Sequence, residues 1–348
     1  MFALDARTAR AAWTVVVMAA ALALVYILRR ALLLLAFSLF FAYLISPLVK
    51  AAQRRLGFRH RRASAVALVY LVLLLALVGA GASVGPRLSG ELTNLAQKLP
   101  EMSQQIQSGA IVGSVLVRRG WAEERVGEVQ ALVASHTSEI IRYSQQAAAG
   151  VLKWLAGAWV IVLVPIFAFF ILKDAEEAAA GIDHLIEDRP RRQLWRDIAD
   201  DIHVLLAGYV RALLLLSLVT LVVWSVVFFV AGVPYAMVMA AIGGTLEFIP
   251  VVGPLAAGVI VVGVSVFSGY AHPWLLIAFV LLWRGIQDYG TSPLVMGRGV
   301  EIHPALVIFG VIAGGEIGGP AGMFLSVPLI AALCIVWRRV RAFQSHAR

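Results

Sequence analysis

One cysteine, Cys334, occurs in 348 residues, which excludes a disulfide framework and any CxxC metal site. It lies in an apolar run and reads as a small buried hydrophobe. No HExxH, no Gly-x-Gly-Asp within an apolar run and no Walker A sequence is present. Metalloprotease, intramembrane protease and ATP-driven pump chemistry therefore lose their usual signatures. His136 has no second ligand at metal spacing, so neither a metal nor another cofactor is implied. Charge is scarce, at 14% of residues. Hydrophobic residues reach 61% and the mean hydropathy is +0.88, which removes the chain from the ordinary soluble class.

What is abundant is uncharged length. Runs free of charge cover 11–28, 31–49, 63–86, 154–172, 212–246, 248–283 and 317–337. Each reaches or approaches the ~20 residues a helix needs to cross a bilayer. The net charge of +9 comes largely from arginines at run ends: Arg54, Arg55, Arg59, Arg61 and Arg62, then Arg338, Arg339 and Arg341. That is the positive-inside pattern, not a nucleic-acid surface. Arg7 and Arg10 before an apolar stretch also fit a signal peptide, but the length of that stretch and the Arg29-Arg30 pair after it favour an uncleaved first helix.

The expected fold is an all-α polytopic membrane protein of about eight transmembrane helices. Residues 1–86 form an N-terminal three-span region, with 11–28 and 31–49 as a hairpin turned at Arg29-Arg30 and a third span ending at Gly85-Pro86. Residues 87–150 repeat apolar positions at helical spacing between Ser, Gln and Glu, giving an extracytoplasmic amphipathic segment divided near Pro100. Residues 151–348 form a C-terminal transport region with broken-helix hairpins. The breaks read Gly243-Gly244-Thr245-Leu246-Glu247-Phe248-Ile249-Pro250-Val251-Val252-Gly253-Pro254 and Gly314-Gly315-Glu316-Ile317-Gly318-Gly319-Pro320. The hairpin arms either cross the membrane or re-enter it; the sequence supports both.

A carboxylate at that depth costs several kcal/mol, roughly +2.5 to +3.5 on insertion scales for a central Asp, and is a functional-site hypothesis by default. Glycine and proline beside it break the helix where backbone lines a cavity. Interrupted segments in two parts of a chain point to a secondary transporter's binding site. A gated carboxyl in a low-dielectric site can exchange a proton near neutral pH, so Glu247 and Glu316 are the leading coupling candidates. Arg211, Arg284, Gln287 and Asp288 are the other polar groups near the apolar core; Arg211 could neutralise Glu247. Arg284 and Asp288, four apart, share a helix face and can pair. Pro250, Gly253 and Pro254 shape the first hairpin, and Gly314, Gly315, Gly318 and Pro320 the second. The similar offsets Pro234 to Glu247 and Pro304 to Glu316 make the two breaks candidate halves of one repeat.

The chain resembles the AI-2E family, the autoinducer-2 exporter-like transporters of bacteria. Carrying the resemblance are Val164-Pro165 with Phe169-Phe170-Ile171-Leu172-Lys173-Asp174, Gly208-Tyr209-Val210-Arg211, and Glu247 to Pro254, which fits the pattern Glu-x-Ile-Pro-x-x-Gly-Pro. Gln287-Asp288, Pro293, Met296-Gly297, His303-Pro304 and the series Gly314, Gly315, Gly318, Gly322 follow in order. Ala212, Leu213 and Tyr289 depart from the family's usual residues. The resemblance implies an inner-membrane protein with cytoplasmic termini, a homo-oligomer embedded in the lipid bilayer. It further implies a non-enzymatic secondary transporter exporting a small polar organic molecule such as autoinducer-2; the alternative is a sodium/proton antiporter acting on a monovalent cation.

Overall fold

The computed structural model describes residues 6–55, 62–107, 127, 158–291 and 303–346. Most of the amphipathic segment, with His136, lies outside the described residues, as do Pro293, Met296 and Gly297. Helices α1 (Ala6–Arg55), α2 (Arg62–Gln107), α3 (Ala158–Leu185) and α4 (Arg189–Val230) are followed by α5 (Ala236–Leu246), α6 (Val252–Phe267), α7 (Pro273–Ile286) and α8 (Pro304–His346). A five-residue π turn, Gln287–Thr291, extends α7. No strand occurs among the described residues.

The expected turn at Arg29-Arg30 is absent. α1 is one helix of 50 residues, about 75 Å long at ~1.5 Å per residue. Neither glycine nor proline stands at the arginine pair, and arginine is a good helix former, so two charges alone do not break the rod. The Arg29 guanidinium instead lies 4.1 Å from the centre of the Tyr26 ring, one turn back. Two expected spans are thus a single helix.

α2 likewise runs through Pro86 and Pro100 to Gln107. Its extension is held by tertiary contacts, which outweigh the local cost of proline. Leu88 and Leu95 pack into a cluster with Trp224 and Phe228 of α4, Val238 and Met239 of α5, Ala257 and Val261 of α6 and Leu276 of α7. A second cluster joins Ile45 and Val49 of α1, Val66 and Val69 of α2 and Leu172 of α3. There Tyr70 donates to the Pro165 carbonyl at 2.7 Å. A third cluster sets Phe40 of α1 against Leu206 and Val210 of α4 and Phe324 of α8.

The α3–α4 turn is clamped by charge. Arg196 Nη2 lies 2.7 Å from Asp183 Oδ2, and the hydrogen-bonded guanidinium holds the Asp183 carboxyl below the usual carboxylate range. Arg339 of α8 donates to both oxygens of Asp201 at 2.7 and 3.0 Å, tying the end of α8 to the start of α4.

Both glycine-rich breaks form helical hairpins. α8 departs from helical geometry at Gly319 (φ 59°, ψ −144°), backbone that glycine alone adopts readily. Its arms then fold together: a Cβ on Gly314 would strike the Gly322 carbonyl, and one on Gly310 would strike Ile330. Pro320 opens the second arm, where its missing N–H costs little.

By length and apolarity, α1, α2, α4 and α8 could cross a membrane. Because α8 is folded at Gly319, only its second arm, about 40 Å long, meets that standard. α5 and α6, with 11 and 16 residues, reach about 16 and 24 Å, short of the ~30 Å hydrocarbon core. The molecule is an all-helical, multi-pass membrane protein.

Candidate functional site

Close contact between α4 and α5 builds the site. A Cβ on Gly243 would collide with the Trp224 ring, and one on Gly244 would sit 3.0 Å from both the Leu221 Cβ and the Ser217 carbonyl oxygen. Ser217 Oγ donates to the Gly244 carbonyl at 2.7 Å. These two glycines let the helices meet at backbone distance, which carries the end of α5 to the middle of α4.

There Glu247 is 7% exposed, and it is the only buried carboxylate among the described residues. Its Oε1 accepts from Thr220 Oγ1 at 3.1 Å and from Gln287 Nε2 at 2.9 Å. Gln287 Nε2 also lies 2.8 Å from Thr220 Oγ1 as a donor, and both neighbours are buried. Burying a carboxylate is expensive unless its oxygens are hydrogen-bonded or paired. Here two neutral donors converge on one oxygen, and Oε2 has no hydrogen-bond partner among the described residues. A carboxyl so placed can hold a proton on the free oxygen, or accept a donor from a bound solute.

The chain reverses immediately after Glu247. Ile249 N bonds Leu246 O at 2.9 Å, and Val252 N bonds Pro250 O at 2.7 Å. That second bond closes a γ-turn around Val251, whose φ is +64° and ψ −57°, a rare and strained geometry. Gly253 packs so tightly on the Leu246 carbonyl that a Cβ would overlap it, and Pro254 follows in the first turn of α6.

A cleft of about 470 Å³ opens beside Glu247 between α6 and α7. Pro254, Gly258, Val259, Val262, Ile277 and Leu281 line it, with Trp224, Trp283, Arg284 and Gln287 near the carboxylate. Arg284 and Asp288 form a two-point ion pair at 2.7 and 2.9 Å. Both are partly exposed, so the pair adds little stability while giving the arginine a partner other than Glu247.

The remaining sequence candidates lie elsewhere. Arg211 is exposed on α4, about 13 Å along the helix from Thr220, and forms no ion pair among the described residues; it does not neutralise Glu247. Glu316 is exposed on the first arm of α8, without a hydrogen-bond partner among the described residues. The two glutamates therefore occupy unlike surroundings, and the hairpin tips differ too. What joins the hairpins is aromatic: Phe248 and Phe324 stand 6.1 Å apart, centre to centre, while Tyr209 of α4 donates to the Phe324 carbonyl at 3.3 Å.

Sequence reasoning missed four residues. Ser217, Thr220 and Trp224 fall at i, i+3 and i+7, one face of α4; the two hydroxyls within an otherwise apolar stretch were the available signal. Glu91, on the α2 extension, accepts from the N–H groups of Met237 and Val238 at 3.1 and 3.0 Å. It caps the positive end of α5, and no local pattern announced it.

The model of the AI-2E family transporter matches residues 15–342. The chain belongs to the AI-2E transporter family. Among curated proteins, it is 25% identical over 316 residues to the AI-2 transport protein TqsA of Escherichia coli, covering 89% of this chain and 86% of the relative. YueF of Bacillus subtilis, provisionally named a transport protein, is 24% identical over 302 residues, covering 84% and 79%. PerM of E. coli, provisionally named a permease, is 25% identical over 314 residues, covering 85% and 84%.

Proposed function

We propose that this family member is a secondary transporter of the bacterial inner membrane. It exports a small organic molecule past Glu247, with proton exchange at the free Glu247 oxygen as the coupling step. The observation that carries this reading is a buried carboxylate, the only one among the described residues, held by Thr220 and Gln287 at a helix break and opening on a cleft. A residue at such cost is expected to serve function. Autoinducer-2, which the TqsA name cites, is the first compound to test. Sodium/proton antiport is not favoured, since the names of the relatives speak of AI-2 or of transport without mention of an ion.

Depth supports the same reading. Thr220 lies about 15 Å along α4 from Val230, half of a ~30 Å hydrocarbon core. If α4 ends at the membrane surface near Val230, the tip of the α5–α6 hairpin stops near the midplane. That is a re-entrant arrangement, consistent with the short lengths of α5 and α6. Arg211, about 28 Å from Val230, then reaches the opposite interface, where its exposed guanidinium meets headgroups and water. The arginine clusters at 54–62 and 338–341, read by the positive-inside rule, support a cytoplasmic location for that face.

The test is flux in proteoliposomes against a solute panel that includes autoinducer-2, over a series of pH gradients. Organic solute movement accompanied by protons is expected. Sodium-driven proton flux without any organic solute would defeat the reading.

A further inference from the structure

The cleft beside Glu247 is not lined for a water-soluble polyol. Apart from Glu247, Arg284 and Gln287, its lining residues present hydrocarbon, aromatic ring and glycine backbone. Its outer lip is built by Leu255, Val259 and Leu281, which are 65%, 74% and 68% exposed. These side chains stand exposed on the outer surface of α6 and α7, so the cleft opens at the side of the hairpin. At about 470 Å³ it falls within the ~300–1,000 Å³ typical of small-molecule sites.

Its inner end holds unmet hydrogen-bonding capacity. The Trp224 and Trp283 rings line it, while their Nε1 groups are buried away from its surface. Glu247 Oε2 is an acceptor without a donor. A free acceptor thus stands at the inner end, with apolar wall along the rest. A solute with hydroxyls along its whole length would place several of them against valine and leucine, where each loses its water without recompense.

We propose that the cleft binds a single-chain amphiphile taken directly from the bilayer. Its small polar head, a hydrogen-bond donor, sits at Glu247 beside the tryptophan rings, and its chain lies along Val259, Val262, Ile277 and Leu281. The proposal rests on the transport reading of Glu247 but replaces its first test compound, the polyhydroxylated autoinducer-2, with a membrane-dissolved substrate class. A medium-chain alcohol satisfies the minimum chemistry: its hydroxyl donates to Glu247 Oε2 and its chain covers the apolar wall.

The probe is ω-bromodecanol, whose bromine quenches tryptophan on contact. It is titrated into the full chain in phosphatidylcholine nanodiscs. A saturable component of quenching is expected, absent from W224F/W283F, reversed by unlabelled decanol and unaffected by erythritol. Val262→Phe, which fills the cleft, is expected to weaken it at least fivefold, and Glu247→Ala at least tenfold. The decanol reversal in the wild type stands as evidence even if a variant fails to fold. Quenching that rises linearly and equally in W224F/W283F would overturn the proposal. So would equal, saturable quenching by brominated phosphatidylcholine alone, since ordinary lipid would then fill the cleft. Efficient crosslinking of Val259→Cys between two copies would also overturn it, by making this face a subunit contact. The two readings fail separately. Loss of transport in E247Q without saturable binding leaves transport standing and removes the amphiphile; saturable binding with intact E247Q flux does the reverse.

Discussion

Thr220 Oγ1 lies 3.1 Å from Glu247 Oε1, across 27 positions of sequence. Trp224, one turn beyond Thr220, is the surface against which Gly243 packs. The contact between hydroxyl and carboxylate therefore depends on two glycines that leave no Cβ in the α4–α5 interface. Replacing Thr220 with Val keeps the shape and removes one buried donor. The expected cost is about 1 kcal/mol of stability, read by thermal unfolding in detergent, with a several-fold fall in flux. Unchanged stability and flux would show that Gln287 alone suffices.

Gly243→Val drives a side chain into the Trp224 ring. Overpacking of this kind typically costs about 1–3 kcal/mol, and here it also displaces Glu247 from Thr220. Gly85→Val, where an added Cβ meets nothing within 4 Å, is the matched control and is expected to melt no lower than wild type. Thermal melts of the two variants side by side decide the point.

Val251 is a β-branched residue at φ +64°. Such backbone carries roughly 1–3 kcal/mol of strain, and glycine would relieve it at an entropic cost of roughly 0.5–1 kcal/mol. Val251→Gly is thus expected to raise stability by about 1 kcal/mol, as a higher melting temperature. Strain of this kind gathers at working sites, so the same variant is expected to transport more slowly. A lower melting temperature would refute the strain account.

Glu91→Ala removes the cap from α5. Loss of a capping carboxylate costs about 1 kcal/mol, and it also frees the α2 extension from the hairpin. Faster amide exchange at Met237 and Val238, measured by hydrogen–deuterium exchange mass spectrometry, is the expected signature.

The first hairpin and its carboxylate were legible in the sequence because their argument is one of cost. Glycine pairs, prolines and a glutamate in apolar surroundings have few uses other than a break that lines a cavity. Gln287 was visible for the same reason. The identity of Glu247's partners was not, since Thr220 and Gln287 reach it only through tertiary packing, and a nearby arginine was the simpler guess. Glu316 carried the same local pattern but stands exposed, because burial depends on which face of α8 meets α1 and α4. The Arg29-Arg30 turn and the stop at Pro86 failed for opposite reasons. Charge was read as a breaker where helix propensity prevailed, and proline was read as a stop where Leu88, Glu91 and Leu95 had contacts to hold the helix beyond it.

The central claim is that Glu247 couples transport through its own ionisation. Glu247→Gln preserves size and the ability to accept from Thr220 and Gln287 while removing the titrating oxygen. The decisive measurement is the initial rate of solute export by this variant and the wild type, reconstituted at equal density across a pH gradient, with autoinducer-2 and medium-chain alcohols in the panel. The account predicts at least a tenfold loss of pH-driven flux with unchanged helix content and melting temperature. A wild-type rate in the glutamine variant would contradict it.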